Sequence, residues 1–579
     1  MAAAGGTWDC DILVIGSGAA GMCTAITAKV HGLNPVIVEK SPVFGGSTAV
    51  SGGVGWIPNS PVAQRTGVVD SLDEVRKYLR QEVGNHYDND KMEVYLTQGP
   101  RMVDFLERHS ALRFQAIKSF PDYHPKTPGS ARGRPIRAAN YDLRELGEHA
   151  AKLRQPLPEL TVFGGMMIAG EDVPHLMNVT RSLKSFRHAA RMLMRHAADK
   201  LRFGRSMRVV NGNAMAARLG KTVFDLGIPL WLSSPARRLV IEEGRVVGAE
   251  VERDGKVAVV RARLGVVLAS GGFPHDRGLL DRVYPHAQPL GHYTVVPGTS
   301  DGDGIRLGQT AGGTFNSNGR SAAVWMPVSL NPQADGGVRH VPHMTDRNKP
   351  GFIAVNQHGN RFVSEAVSYQ DFVEAMQDQV SGGGELVVWL IAAHETVRRY
   401  GMGAAFAAPM PLGRHLRSGY LRRGRTLADL AAQISVDPAA LQATVERYNR
   451  FAAEGQDPDF NKGGDDYQRF MGDASHKPNP NVGPVLDGPY YAVRLHPGDV
   501  GTMYGLNTDT LARVVDASGQ PIPGLFAVGN DAASVMAGTY PGGGTTLGPG
   551  LTFGYVAGLT LAGQTLTGKP LDAGQGTAI

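Results

Sequence analysis

Short β-branched apolar runs alternate with glycine-rich breaks and amphipathic stretches, a pattern that predicts strands, tight turns and helices in βαβ order. Residues 11–16, DILVIG, form an apolar run of the buried-strand type. They lead into Gly16-Ser17-Gly18-Ala19-Ala20-Gly21 and then a helical run, MCTAITAKVHG. A second strand-like run, PVIVEK, carries Glu39 and Lys40 at its end. The strand pattern returns in LGVVLASGG (264–272) and GLFAVGNDAA (524–533), and GPGLTFGYVAGLTLAG (548–563) reads as a closing helix. Between about 297 and 496 the pattern changes to polar turns, such as TSDGDGI, and amphipathic helices, LADLAAQI and PAALQATVERYNRFAAEG. Asp457 to Pro484, rich in Gly, Asp, Asn and Pro, reads as a surface loop.

One stretch stands apart. From Arg181 to Arg208 there are nine Lys/Arg against one acid, Asp199, and Leu183, Phe186, Ala190, Leu193, Ala197 and Leu201 follow helical spacing. Just upstream, TVFGGMMIAG (161–170) reads as an exposed apolar tract. A basic amphipathic helix beside an apolar loop suits the surface of an anionic membrane, and residues about 160–208 are the expected contact. The alternative is a solvated helix packed on its own domain.

The first βαβ unit supplies candidate chemistry. Gly16 permits the tight turn, Gly18 lets a pyrophosphate approach the backbone, and Gly21 permits helix–strand packing. The helix start at Ala19 and Ala20 presents unpaired N–H groups to phosphate. Glu39, about 20 residues on, is placed to accept hydrogen bonds from ribose hydroxyls. A glycine-rich turn in an unrelated α/β protein is the bland alternative, and strand, helix and terminal acid together argue against it. A second glycine-rich loop, SPVFGGSTAVSGGVGW, follows at once and suits a cofactor that continues past its pyrophosphate, which favours FAD over NAD.

Composition narrows the classes. The 579 residues exceed one core, and 42% hydrophobic with 19% charged content describes a folded protein. The net charge of +6 is concentrated in the insert, and no nucleic-acid motif accompanies it. Cys10 and Cys23 are too few for a disulfide framework, and neither they nor the histidines show metal-ligand spacing. The longest apolar runs are too short to span a bilayer and no signal-peptide pattern opens the chain, so a cytoplasmic protein is expected, at most peripheral on the inner membrane face.

The second loop resembles that of the fumarate reductase/succinate dehydrogenase flavoprotein family. That resemblance implies FAD contacts at Gly46, Ser47 and Thr48, then at Ser270, Gly271, Gly529 and Asn530. It also implies a Rossmann-type α/β FAD-binding domain interrupted by an α+β substrate-capping domain. The expected boundaries are 1–296, with the insert at about 145–208, then 297–496 and 497–579. Covalent members carry a flavin-attaching His in this loop. None occurs between His31 and His86, so non-covalent FAD is expected.

Fumarate-type members surround a dicarboxylate with His and Arg, because a buried carboxylate must be paired. Here RFVSEAVSYQDF has Tyr369 near the proton-donating Arg, HPGDVGTMYG has Gly501 at the substrate His, and AGTYPGGG has Tyr540 at the substrate Arg. With PDYHP, which holds Tyr123, these pieces resemble the 3-ketosteroid Δ1-dehydrogenases over nearly the whole chain outside the insert. Ser368 stands where that family often has proline. The resemblance implies that Tyr540 hydroxyl and Gly544 N–H hold the C3 ketone oxygen. Tyr369, supported by Tyr123, takes the C2 proton, and a hydride leaves C1 for flavin N5. A quinone is the electron acceptor expected of a membrane-associated flavoenzyme. Tyr293 and Tyr504 are weaker pocket candidates. A 3-keto-5α-steroid Δ4-dehydrogenase, an enoate or fumarate-type reductase, and a flavoprotein that binds steroid without turnover are the rival readings.

Overall fold

The structure, a computed structural model, describes residues 6–172, 175–176, 179, 182–285, 292–380 and 386–567. Arg181, the first member of the basic run, lies outside them.

The DILVIG run is the inner end of the strand Thr7–Ile15. Its residues alternate between two cores, as the period of a strand requires. Ile12 and Val14 pack with Met22 and Ile26 of the helix Ala19–Val30, whereas Leu13 and Ile15 join Phe273 and Ile305 on the other face. Coverage on both faces explains the unbroken apolar run. Parallel neighbours flank it: Pro35–Val38 on one side and Lys256–Leu268 on the other. The long strand Lys256–Leu268 serves two sheets in one. Its first half pairs antiparallel with Arg245–Arg253, and its end pairs in parallel with Pro521–Ala527, Val266 opposite Leu525. The glycine-rich turns at Gly16, Ser270 and Gly529 therefore leave the carboxyl ends of adjacent parallel strands, where open α/β sheets bind ligands. The closing helix Leu547–Leu561 lies on Ala19–Val30, and a Cβ added to Gly554 or Gly558 would sit 2.6 Å from Ala20 O or Thr27 Cβ.

The capping part is built on a second sheet, ordered Val338–Pro342, Ala323–Pro332, Tyr490–Thr502, Val388–Ala393, Phe352–Asn356, with Tyr293–Thr294 and Arg422–Gly424 also on Tyr490–Thr502. The predicted helices Leu427–Ile434 and Pro438–Ala452 cover one face with Ile353, Val355 and Ile391. The chain thus has the predicted architecture: a Rossmann-type parallel-sheet domain interrupted by a sheet-and-helix cap.

Two local expectations change. The segment Asp457–Pro484 is not a plain surface loop. It holds the helix Asp466–Met471 and buries Lys462, Tyr467 and Gln468. A buried ion network draws it in: Arg361 pairs with both Glu365 and Asp457 at 2.8 Å, and Lys462 lies 3.2 Å from Glu365. Composition could not show this, because the loop's charges are satisfied across 96 residues of chain. The tract 161–170 forms a hairpin, Thr161–Val162 with Met166–Met167, that buries both methionines and leaves Phe163 exposed at the turn.

Candidate active site

One cavity is bordered by Gly16, Gly18, Glu39, Lys40, Gly46, Ser47, Ser270 and Gly271, eight of the expected cofactor contacts. Gly16 has φ +115°, and an added Cβ would stand 2.1 Å from Ala269 O, so only glycine fits this turn. A Cβ on Gly21 would stand 2.2 Å from Gly16 O, which makes this glycine a packing residue, as the fingerprint requires. Thr48 reaches the same helix start: Ala19 N–H donates to Thr48 Oγ1 at 3.0 Å. Gly529 and Asn530 border a second cavity with Met503, Thr545 and Gly550. Ala20, in the helix that follows the first glycine loop, lies against this second cavity, since a Cβ on Gly529 or Gly550 would approach its methyl at 3.2 or 3.7 Å. Two cavities lined by glycines and other small residues, one beside Glu39 and one beside Thr545 and Thr546, suit a long dinucleotide such as FAD.

Two of these residues have further partners. Glu39 accepts from Ser17 N–H at 3.1 Å, Ser17 hydroxyl at 2.6 Å and Ser41 N–H at 2.9 Å, which fixes its carboxylate. Lys40 places its ammonium between Asp301 and Asp303, at 2.5 and 2.7 Å, and so fastens the start of the cap to the nucleotide domain. Sequence reasoning missed Asp531. Its buried carboxylate accepts from the N–H groups of Ser270 and Gly272 and ties two cofactor loops together. Burial pushes its pKa up. The carboxyl follows the noticed GN pair directly, yet its partners lie 259 to 261 residues away.

The structure brings Tyr123, Tyr369 and Tyr540 together from three distant parts of the chain. All three are buried, and their ring centroids lie 5.5 to 5.6 Å apart. Tyr123 hydroxyl donates to Tyr369 hydroxyl at 3.1 Å. Each tyrosine is anchored locally. Tyr123 N–H and Tyr78 hydroxyl both donate to Pro541 O, at 2.9 and 2.7 Å, which locks the PDYHP loop to the TYPGGG loop. Tyr369 begins the helix Tyr369–Asp378, and Ser368 caps it through Asp371 N–H at 3.1 Å. A serine is well suited to that cap position, which accounts for the departure from proline. Gly544 has φ +100°, and an added Cβ would stand 2.4 Å from Val54 O. Its N–H has no protein partner among the described residues.

Gly501 has φ +148°, which strains any side chain such as the histidine of fumarate-type members, and a Cβ there would also displace Asn530 Nδ2, 2.6 Å away. The weaker candidates lie elsewhere: Tyr293 packs on His340 and His496, and Tyr504 hydroxyl donates to Gly319 O.

Three further residues surround the triad, and sequence reasoning passed over all of them. Tyr467 packs against Tyr123 with centroids 4.5 Å apart and the rings tilted by 46°, and its buried hydroxyl has no partner among the described residues. The only signal was an aromatic pair, YQRF, inside a polar loop. Arg347 is fully buried and gives its guanidinium to backbone carbonyls of His343, Glu365 and Val367, with Nη2 left unpartnered among the described residues. His124 bridges Glu82 and Asp371 at 2.5 and 3.0 Å, and so clamps the Tyr123 loop to the Tyr369 helix.

The electrostatics follow from this enclosure. Burial pushes the Tyr369 phenol well above the ordinary tyrosine value, and the neighbouring Tyr123 and Tyr540 add to the shift. Burial does the same to Tyr123, against which the hydrogen bond to Tyr369 and the Arg347 charge pull downward. Burial alone would lower the His124 pKa, but the bonds to Asp371 and Glu82 raise it to about 10, so the clamp is an imidazolium at neutral pH.

Comparison with known proteins places the chain among flavoproteins. Residues 11–547 match the model of the FAD binding domain family. The chain is 40% identical to a 4-oxocyclohex-2-ene-1-carboxylate 5-dehydrogenase of Sinomonas cyclohexanicum, over 96% of this chain and 94% of that protein. It is 35% identical to a 3-oxosteroid 1-dehydrogenase of Mycolicibacterium smegmatis, over 95% and 97%. The crystal structure of 3-ketosteroid Δ1-dehydrogenase from Sterolibacterium denitrificans, in complex with 1,4-androstadiene-3,17-dione, superposes with a TM-score of 0.88 at 34% identity, covering 96% of this chain and 99% of that one. The chain is an FAD-dependent oxidoreductase acting on CH–CH bonds and belongs to the FAD binding domain family of flavoproteins.

Proposed function

We propose that this enzyme desaturates a neutral cyclic ketone, a 3-ketosteroid, between C1 and C2 of the A-ring. The observation that carries the reading is the Tyr123 hydroxyl donating to Tyr369 inside a cluster that also holds Tyr540 and the Gly544 turn. Bound FAD, held non-covalently, supplies hydride-accepting chemistry at C1. The protein supplies the rest. Tyr540 hydroxyl and the unpartnered Gly544 N–H hold the ketone oxygen and stabilise the enolate character that acidifies C2–H. Tyr369, as the phenolate left when its hydroxyl proton has passed to solvent, takes the C2 proton and becomes a neutral phenol; Tyr123 stabilises that phenolate beforehand by donating its hydrogen bond.

The enclosure sets the energetics. A tyrosine with a pKa near ~10 acting at pH ~8 costs about 2.7 kcal/mol. Burial raises the cost, so the free phenolate is not a resting species. The proton leaves C2 only as the held ketone oxygen gains charge. Buried Arg347 lowers the cost through the cluster behind Tyr123.

The test is product analysis with androst-4-ene-3,17-dione and an artificial electron acceptor. A Δ1 product supports the reading. Oxidation of 5α-reduced substrates alone would assign a Δ4-dehydrogenase instead.

A second reading is a small carboxylated cyclohexenone. The Sinomonas relative at 40% identity is named for such a substrate, and Arg347 Nη2 is a buried cation without a partner among the described residues. The two readings separate on one variant. With a carboxylated substrate, Arg347→Met raises KM. With a steroid it leaves KM in place and shifts the rate profile to higher pH.

A further inference from the structure

The helix Leu183–Phe203 has three faces rather than two. At about 100° per residue, Ser185, Ala189, His196 and Asp199 form one stripe, and this small and polar stripe is the buried one. It is fixed to the body of the protein by polar bonds. Asp199 pairs with Arg144 and accepts from Met207 N–H, and His196 contacts Phe163 O at 3.0 Å. The apolar stripe faces outward. Leu183 is 65% exposed, Phe186 56%, Leu193 39%, Met194 67% and Leu201 92%. Phe163, at the tip of the hairpin bonded to His196, is exposed beside them at 49%. Of the thirteen large apolar side chains exposed among the described residues, seven lie on this helix and its hairpin. The third stripe, Lys184, Arg187, Arg191 and Arg202, is basic, and none of the four has a carboxylate partner within salt-bridge distance among the described residues.

A helix that served only its own domain would turn its leucines inward. This one spends polar groups on docking and keeps apolar residues for something else. That surface has to be met by an apolar phase edged with negative charge. A second copy would set the same basic stripe against itself, which opposes docking. A nucleic acid would answer the cations and leave the apolar stripe in water. No helix among the described residues is long and apolar enough to cross a membrane, so the contact lies in the plane of an interface.

We propose that the helix Leu183–Phe203 and Phe163 form a docking face for an anionic lipid bilayer, with the apolar stripe sunk to the acyl boundary and the cations on the headgroups. This rests on the helix and not on the assignment of the substrate. The probe is a vesicle of phosphatidylcholine containing phosphatidylglycerol, sedimented with the full-length holoenzyme. A vesicle of phosphatidylcholine alone is the comparison. The protein pellets with the anionic vesicles at low salt, and high salt or neutral lipid weakens binding about tenfold. Phe186→Ser with Leu201→Ser lowers binding to anionic vesicles about tenfold, while flavin content, melting temperature and turnover of a soluble ketone stay as in the parent. Lys184→Gln with Arg187→Gln reduces the salt dependence. Equal pelleting of the serine variant and the parent, or no pelleting with either vesicle, overturns the proposal. So does a parent that is dimeric by light scattering without lipid and becomes monomeric in the serine variant, which would make the face a self-association surface.

Discussion

The tyrosine cluster and the insert helix both gather aromatic and apolar side chains, and they treat them in opposite ways. Tyr123, Tyr369, Tyr467 and Tyr540 are all enclosed, and the loops that carry them are cross-bonded by Tyr78, His124 and the backbone of Pro541. On the helix Leu183–Phe203 one polar stripe, Ser185, His196 and Asp199, is enclosed, and the rings of Phe186 and Phe203 face out. Burial in the first case raises the cost of charge on a phenol and makes its proton transfer depend on what is bound. Exposure in the second is a standing cost that folding does not recover, which is why it points to a surface outside the molecule.

The comparison can be broken first at the proton acceptor. Tyr369→Phe removes the base and leaves the ring, and turnover is expected to fall about 10²- to 10⁴-fold with steroid binding retained, read by steady-state rate and ligand titration. A fall of less than fivefold would remove Tyr369 from the chemistry. Next comes Gly544→Ala. Its positive φ and the 2.4 Å approach to Val54 O would displace the N–H proposed to hold the ketone oxygen, and the expected loss in kcat is about 10²-fold. Unchanged kcat would move the oxyanion site elsewhere.

The pH profile is a finer probe. The rate is expected to climb from neutral into alkaline pH as the raised phenol becomes easier to deprotonate. The clamp sets the upper limit. The folded pKa of His124, about 10, lies above its unfolded value near ~6.5, so its stabilisation is complete below ~6.5 and fades as pH rises through about 10. Thermal melts in His124→Asn should therefore differ from the parent at pH ~6 and converge with it above pH ~10. A parent-to-variant gap that widens with pH would show the sign to be wrong. The smallest effect belongs to the outer region. Phe186→Ser with Leu201→Ser should shift the melting temperature by no more than a few degrees, since surface changes outside the core fall within about 0.5 kcal/mol.

Local sequence carried much of this molecule. The βαβ unit is contiguous and bound by strand and helix periodicity, so its strand, glycine turn and helix were legible in the sequence. Tyr123, Tyr369 and Tyr540 were found as motifs, and the structure adds their meeting. Tyr467, Arg347 and Asp531 were invisible for a common reason: each acts through a partner far along the chain, and neither composition nor spacing records such a pair. The insert was half legible. Periodicity gave the helix Leu183–Phe203, but an amphipathic pattern alone cannot tell which stripe is buried. The polar anchors at His196 and Asp199 decide that, and their partners Phe163 and Arg144 sit outside the periodic run.

The central claim is that a buried phenol, not a fixed cation, moves the proton from a neutral ketone. Anaerobic mixing with androst-4-ene-3,17-dione, followed by the absorbance of the bound flavin, tests it most directly. The account expects the parent to bleach within one turnover, and Tyr369→Phe to bind the steroid and stay yellow. Equal bleaching in both proteins, or a parent that bleaches only with a carboxylated cyclohexenone, would contradict it.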